Sequence, residues 1–279
     1  MPKLELSNEE LNNIITDYTN GISMENIVKK YHHDKNTLKR ILMENDITIR
    51  NKIEAIQLAR EQNDFIPLNR KYKVNDDYFV NQNDKMAYFL GFLMADGNVS
   101  STDNKIQICL SEEDADFLEI FYNEIGGSPI AHYTQNNGKQ KICRWQCLSS
   151  KIKKDLIYYD VIPRKTGFAK IPTNLKKDFY PDFIRGYFDG DGCIWIEKNG
   201  AVGFSITSHN KEILEQIIEY FKENDIPEVK IKTDNRYNIN YSFKYRKKAS
   251  EKIYNLLYYN NTCLRMKRKF DKFTLILKK

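Results

Sequence analysis

Phe89-Leu-Gly-Phe-Leu-Met-Ala-Asp96-Gly97 and Ile184-Arg-Gly-Tyr-Phe-Asp-Gly-Asp191-Gly192 are two copies of one pattern, set 95 residues apart. Each is an apolar run with a central glycine (Gly91, Gly186) and a closing Asp-Gly pair. Glycine just past a helix is a common left-handed terminator, so Gly97 and Gly192 predict that Asp96 and Asp191 end helices. A carboxylate there faces the negative end of the helix dipole, and two such groups side by side repel. A bound divalent cation would relieve both costs, and carboxylate oxygens favour Mg2+ or Ca2+ over zinc. Gly91 and Gly186 each give up roughly 1 kcal/mol of helix propensity. Lacking side chains, they predict two helices packed closely enough to bring the carboxylates within reach of shared ions. A single Asp-Gly is an ordinary turn signal; its repetition at a fixed glycine offset implies two similar halves.

These segments resemble the signature helices of the LAGLIDADG homing endonucleases in their single-chain form. Ile162-Pro-Arg-Lys-Thr166 and Leu264-Arg-Met-Lys-Arg-Lys269 fit as well, so the likeness runs over about residues 81–275. The resemblance puts Asp96 and Asp191 on the metal-binding acidic position, with Gly97 and Gly192 beside them as further candidates, and Gly91 and Gly186 on the helix-packing position. It implies Mg2+ as cofactor, with Mn2+ or Ca2+ able to occupy the same sites, and double-stranded DNA as partner. It also implies a monomer with internal pseudo-two-fold symmetry and a staggered double-strand break at a long recognition site. Lys247 matches one place where the family carries a catalytic lysine. Ser111 and Ser208 stand where Gln or Lys is common, a departure that bears on catalytic efficiency. Asp189 has Met94 as its counterpart and is expected at most to support the metal shell. Two other readings stay open: a non-cleaving DNA-binding regulator, and an RNA maturase using the same fold.

Composition agrees with a DNA partner. Net charge is only +6, but residues 228–279 carry 15 Lys/Arg against 4 Asp/Glu, so the first 227 residues sum to −5. A basic segment of that kind suits a phosphate backbone. No run of 18 apolar residues occurs and no signal pattern opens the chain, which predicts a soluble, cytoplasmic protein without membrane contact. The five cysteines lack zinc-ligand spacing and are odd in number, so reduced thiols are expected.

The expected fold class is α+β: two pseudo-symmetric αββαββα halves, about 81–165 and 175–279, with antiparallel saddle-shaped sheets. The clearest strand is Tyr237–Arg246, where aromatic and aliphatic residues alternate with Asn238, Asn240, Ser242, Lys244 and Arg246. Such a wet face carries the side-chain types that read base edges. Lys230 and Lys232 lie on the neighbouring strand, and Lys105, Gln107, Arg144 and Gln146 occupy comparable places in the first half; all are DNA-binding candidates. Residues 1–50 read as three short helices, opening with the capping pattern Ser7-Asn-Glu-Glu10. They resemble a resolvase-type helix-turn-helix domain, which would present Lys35, Asn36, Lys39 and Arg40 to DNA. Residues 51–80 are expected to be a linker to the endonuclease domain, 81–279.

Overall fold

The computed structural model describes residues 6–51, 54–55, 58, 71–135, 138–198, 200, 202–236 and 239–274. Its chain divides into two compact units, Met1–Asn69 and Arg70–Lys279.

In the smaller unit, α1 (Asn8–Thr19), α2 (Met24–Tyr31) and α3 (Lys35–Glu44) each begin at a side-chain cap. Ser7, Ser23 and Asp34 accept hydrogen bonds from first-turn amides of these helices, satisfying groups that a helix start leaves open. Apolar positions at helical spacing bury Ile14, Tyr18, Met24, Ile27, Leu38 and Leu42 in a separate core. Arg50 closes the unit: its guanidinium lies 4.0 Å from the Tyr18 ring centroid and donates to the Ile22 carbonyl.

The larger unit repeats one topology. Its first half contains α4 (Asp84–Asp96), β1 (Gly97–Val99), β2 (Lys105–Ser111), α5 (Ala115–Ile125), β3 (Ser128–Gln135), β4 (Gln140–Leu148) and α6 (Ser150–Tyr158). The second contains α7 (Tyr180–Asp191), β5 (Gly192–Ile196), β6 (Val202–Ser208), α8 (Lys211–Glu223), β7 (Lys232–Asp234), β8 (Asn240–Arg246) and α9 (Lys248–Leu257), followed by α10 (Lys267–Thr274). The sheets are antiparallel and four-stranded, ordered β1-β2-β4-β3 and β5-β6-β8-β7. Gly97 pairs with Ile108 and Gly192 with Ile206, so the two copies share register as well as order. Ile106, Ile108, Trp145, Phe204, Ile206 and Phe243 point into one buried core shared by both halves.

Helices α4 and α7 pack against each other along the middle of this unit. A β-carbon on Gly91 would lie 2.0 Å from the Phe183 carbonyl oxygen, and one on Gly186 would lie 1.9 Å from that of Tyr88. The reciprocal contact is backbone on backbone, so only glycine permits the separation.

Several expectations need correction. Gly97 (φ −72°) and Gly192 (φ −90°) are extended rather than left-handed, because each helix runs straight into a strand. Glycine is required there because a β-carbon would strike Leu93 or Phe188 one turn back. Residues 71–80, assigned to the linker, belong to the large unit: Phe79 is buried, Val74 bridges to Gly126, and Gly127 donates to the Lys73 carbonyl. Most of the remaining linker, 59–70, lies outside the described residues. The alternating strand begins at Asn240; Ile239 is 56% exposed, and Tyr237 and Asn238 lie outside the described residues. Helix α10 has no strong sequence signal, because its basic stretch, Lys267-Arg-Lys-Phe-Asp-Lys-Phe-Thr274, buries only Lys269 and Phe273.

Candidate active site

Asp96 and Asp191 end α4 and α7 on the same side of the crossing, with side chains that reach solvent. Small residues keep the helix ends together: a β-carbon on Gly190 would lie 2.3 Å from that of Ala95 and 3.4 Å from Asp96 Oδ2. The Asp191 carboxyl is pushed up to about 6, first by burial among protein atoms and next by the charge of Asp96. Asp96 is also raised, chiefly by burial, against the pull of Lys269, Lys165 and Arg268. The Tyr187 hydroxyl donates to Ser208 at 3.0 Å and also interacts with Asp191. One of the two serines noted in the sequence therefore sits in the hydrogen-bonding surroundings of this site.

Two lysines take the places that left-handed caps would have held. Lys165, from the segment joining the halves, donates to the carbonyls of Ala95 at 3.0 Å and Gly97 at 2.6 Å. Lys269, from α10, donates to Phe188, Asp189 and Gly190 at 2.9, 2.7 and 3.0 Å. Each ammonium meets the negative end of one signature helix. Burial is the largest influence on both and lowers their basicity, while Asp96 and Asp191 oppose it. Lys269 commits all three of its N–H groups and is 5% exposed. Lys165 commits two, and its third has no protein acceptor among the described residues.

The segment carrying Lys269 is firmly held. Arg185 forms a buried 2.7 Å ion pair with Asp182 and donates to the carbonyls of Leu257 and Leu264. Asp189 is fully buried and accepts from Tyr88 of α4 at 2.7 Å and from the Met266 amide at 2.8 Å. It is thus a pin between both signature helices and the final segment, and burial raises its carboxyl to about 6. Arg268 reaches Asp114 of the first half at 2.8 Å.

Lys247 stands at the start of the last helix of the second half. It precedes α9 with φ +54° and is exposed, its amide bonded to Val202. Basic side chains that act on the carboxylate pair include Lys165 and Lys269, on both acids, and Arg268, on Asp96. Both lysines lie within segments that carry the family resemblance, Ile162–Thr166 and Leu264–Lys269, yet nothing in those segments alone marks them for a role at the acids.

Among the described residues, no three His, Cys, Asp or Glu side chains gather as a metal cluster. Oxygen donors at the site are the two carboxylates and nearby carbonyls, of which Gly97's is engaged by Lys165. A hard divalent cation fits these donors, and the absent β-carbon of Gly190 keeps the approach to Asp96 open.

The other candidates sort by face. Gln107 is opposite Gln146, and Arg144 is opposite Cys109, on the outer surface of the first sheet; Lys105 shares that face. On the second sheet Ser242, Lys244 and Arg246 alternate with buried Phe243 and Tyr245, and Lys232 is opposite Ser242. Asn240 opens β8, and Lys230 is exposed just before β7. Arg246 pairs with Glu197 at 3.1 Å. In the small unit, Lys35 pairs with Glu25 and Arg40 approaches Glu44 at 3.8 Å, while Asn36 is exposed and Lys39 half-buried. No helix among the described residues is long and apolar enough to cross a membrane.

Two curated relatives come from Methanocaldococcus jannaschii. An uncharacterised protein is 28% identical over 222 residues, 73% of either chain. The DNA-directed RNA polymerase subunit Rpo1C is 28% identical over 171 residues, which cover 60% of this chain and only 19% of the subunit. Among solved structures, the meganuclease I-SmaMI bound to uncleaveable DNA matches with 13% identity and a TM-score of 0.47, over 68% of this chain and 89% of its own. The homing endonuclease I-WcaI bound to its DNA recognition sequence matches with 16% identity and a TM-score of 0.47, over 69% and 90%. Residues 178–266, which contain α7 and Asp191, match the family model described as a LAGLIDADG-like domain.

Proposed function

We propose that the chain is a site-specific DNA endonuclease that makes a divalent-metal-dependent, staggered double-strand break. One observation carries the reading: Asp96 and Asp191 adjoin at the ends of two packed helices, with a lysine at each helix end. Divalent ions held there would activate water and stabilise charge on the attacked phosphate and the leaving oxygen. Asp96 and Asp191 supply the anionic oxygens. Lys165 Nζ, with one N–H uncommitted, donates to a phosphate oxygen. Lys269 Nζ fixes the end of α7 and therefore the position of Asp191. The matched family segment supports the same reading. The polymerase subunit does not suggest polymerase activity, since the chain spans about a fifth of it. The wet sheet faces would lie on the major groove, and α3 would add a second contact through Asn36 and Lys39.

The test is incubation with a randomised DNA library and Mg2+, followed by sequencing of the cut ends. Recurrent cleavage at one long sequence, abolished by EDTA, is the expected result. Selective binding without cleavage under Mg2+ and Mn2+ would favour the non-cleaving regulator instead.

A further inference from the structure

The outer faces of the two sheets differ at one matched position. In the first sheet Lys105 starts β2, opposite Leu148 of β4. The corresponding register position in the second sheet is Gly203, opposite Arg246 of β8 and Trp195 of β5. A β-carbon on Gly203 would lie 2.1 Å from Cε2 and Cζ2 of Trp195, so the indole lies on the glycine. Lys244 Nζ is 5.6 Å from the indole centroid on the same face. The result is a half-buried aromatic surface among side chains that are otherwise polar or basic.

Covering a bare glycine explains why an aromatic packs there. It does not explain why the largest aromatic stands on the wet face, with a cation beside it. The chain's other tryptophan, Trp145 of the first sheet, is buried and donates to the Gly126 carbonyl. In the major groove the apolar group available to such a surface is the C5-methyl of thymine.

We propose that Trp195 is a specificity-determining residue of the second half, contacting a thymine methyl where the first half presents Lys105. This inference rests on the proposed DNA interface. It makes the two half-sites unlike at the corresponding position, with the Trp195 side preferring thymine. Lys244 contacts phosphate or a neighbouring base edge and keeps the indole in place through its cation–π approach.

The experiment uses the full chain in Ca2+ with a binding site selected from random DNA. Each thymine of the site is replaced in turn by deoxyuridine, which removes only the methyl group. One or two positions in the second half-site should lose about fourfold in affinity, the factor that burying one such group supplies. Trp195→Ala should lose that sensitivity while sensitivity elsewhere persists. Gly203→Ala, which displaces the indole without deleting it, should blunt the sensitivity as well. DNA should also quench tryptophan emission in the wild type and in Trp145→Phe, but not in Trp195→Phe. Tight binding with no uracil-sensitive position, or with sensitivity unchanged in Trp195→Ala, overturns the assignment and leaves the nuclease reading standing. Failure to select any DNA overturns both.

Discussion

Asp191 and Asp189 are held near 6, above the ordinary carboxyl range, with burial as the first cause in each. In that range the folded protein binds protons that the unfolded chain has released, so stability falls as pH climbs from about 4 to about 6. Urea titrations of the metal-free protein should show this fall. Asp189→Asn should flatten it, because its amide can still accept from Tyr88 and Met266. Cation binding must displace protons from the carboxylate pair, so Ca2+ should raise the unfolding temperature more at pH 7.5 than at pH 5.5. An equal shift at both values would contradict the assignment of the pair as ligands. The lysines should separate by role. Lys269→Met leaves three helix-end carbonyls without their donor and should cost about 2 kcal/mol, a fall of roughly 4–8 °C in unfolding temperature. Lys165→Met should change stability less and cleavage rate more, read as kcat against melting temperature.

The crossing of α4 and α7 is the element on which the site depends. Gly91→Ala or Gly186→Ala ordinarily gains about 1 kcal/mol of helix propensity. Here each adds a carbon within 2.0 Å of a backbone oxygen, which neither helix can move aside cheaply. Net destabilisation of about 2–3 kcal/mol is expected in urea unfolding, with the carboxylates pushed apart. This element was legible from the sequence because glycine amid large apolar residues, repeated at a fixed offset, costs helix propensity twice and is repaid only by close helix packing. The succession of strands along each half, and the placing of Asp96 and Asp191 at the two helix ends, were legible because the second copy repeats the first. The helix-ending geometry was misread: an extended glycine before a strand and a left-handed glycine cap look alike in sequence. Lys165 and Lys269 went unrecognised because each is distant in sequence from the helix end it caps, Lys165 by 69 residues from Asp96 and Lys269 by 78 from Asp191. Only folding brings them to the helix ends. Lys247, in a basic run, was the more conspicuous residue in the sequence.

At the scale of the whole molecule, charge and the doubled architecture define what DNA should meet. Fifteen basic residues in the final 52 are concentrated in the second half and α10. Affinity should therefore fall steeply with salt, and replacing Lys244 or Lys232 by alanine should reduce the slope of log K against log salt by about one each. The small unit has its own core, so a chain beginning at Arg70 should fold and cleave, with lower affinity and a shallower slope. Unchanged affinity would remove α3 from the interface. The central claim is that the two halves meet in order to set one carboxylate beside another. It is tested most directly by cleavage of the selected site in Mg2+ by the wild type, Asp96→Asn and Asp191→Asn at equal DNA occupancy. The account predicts double-strand cleavage by the wild type and a loss of about a hundredfold or more in each variant, with DNA still bound. Cleavage at the wild-type rate by either variant would contradict it.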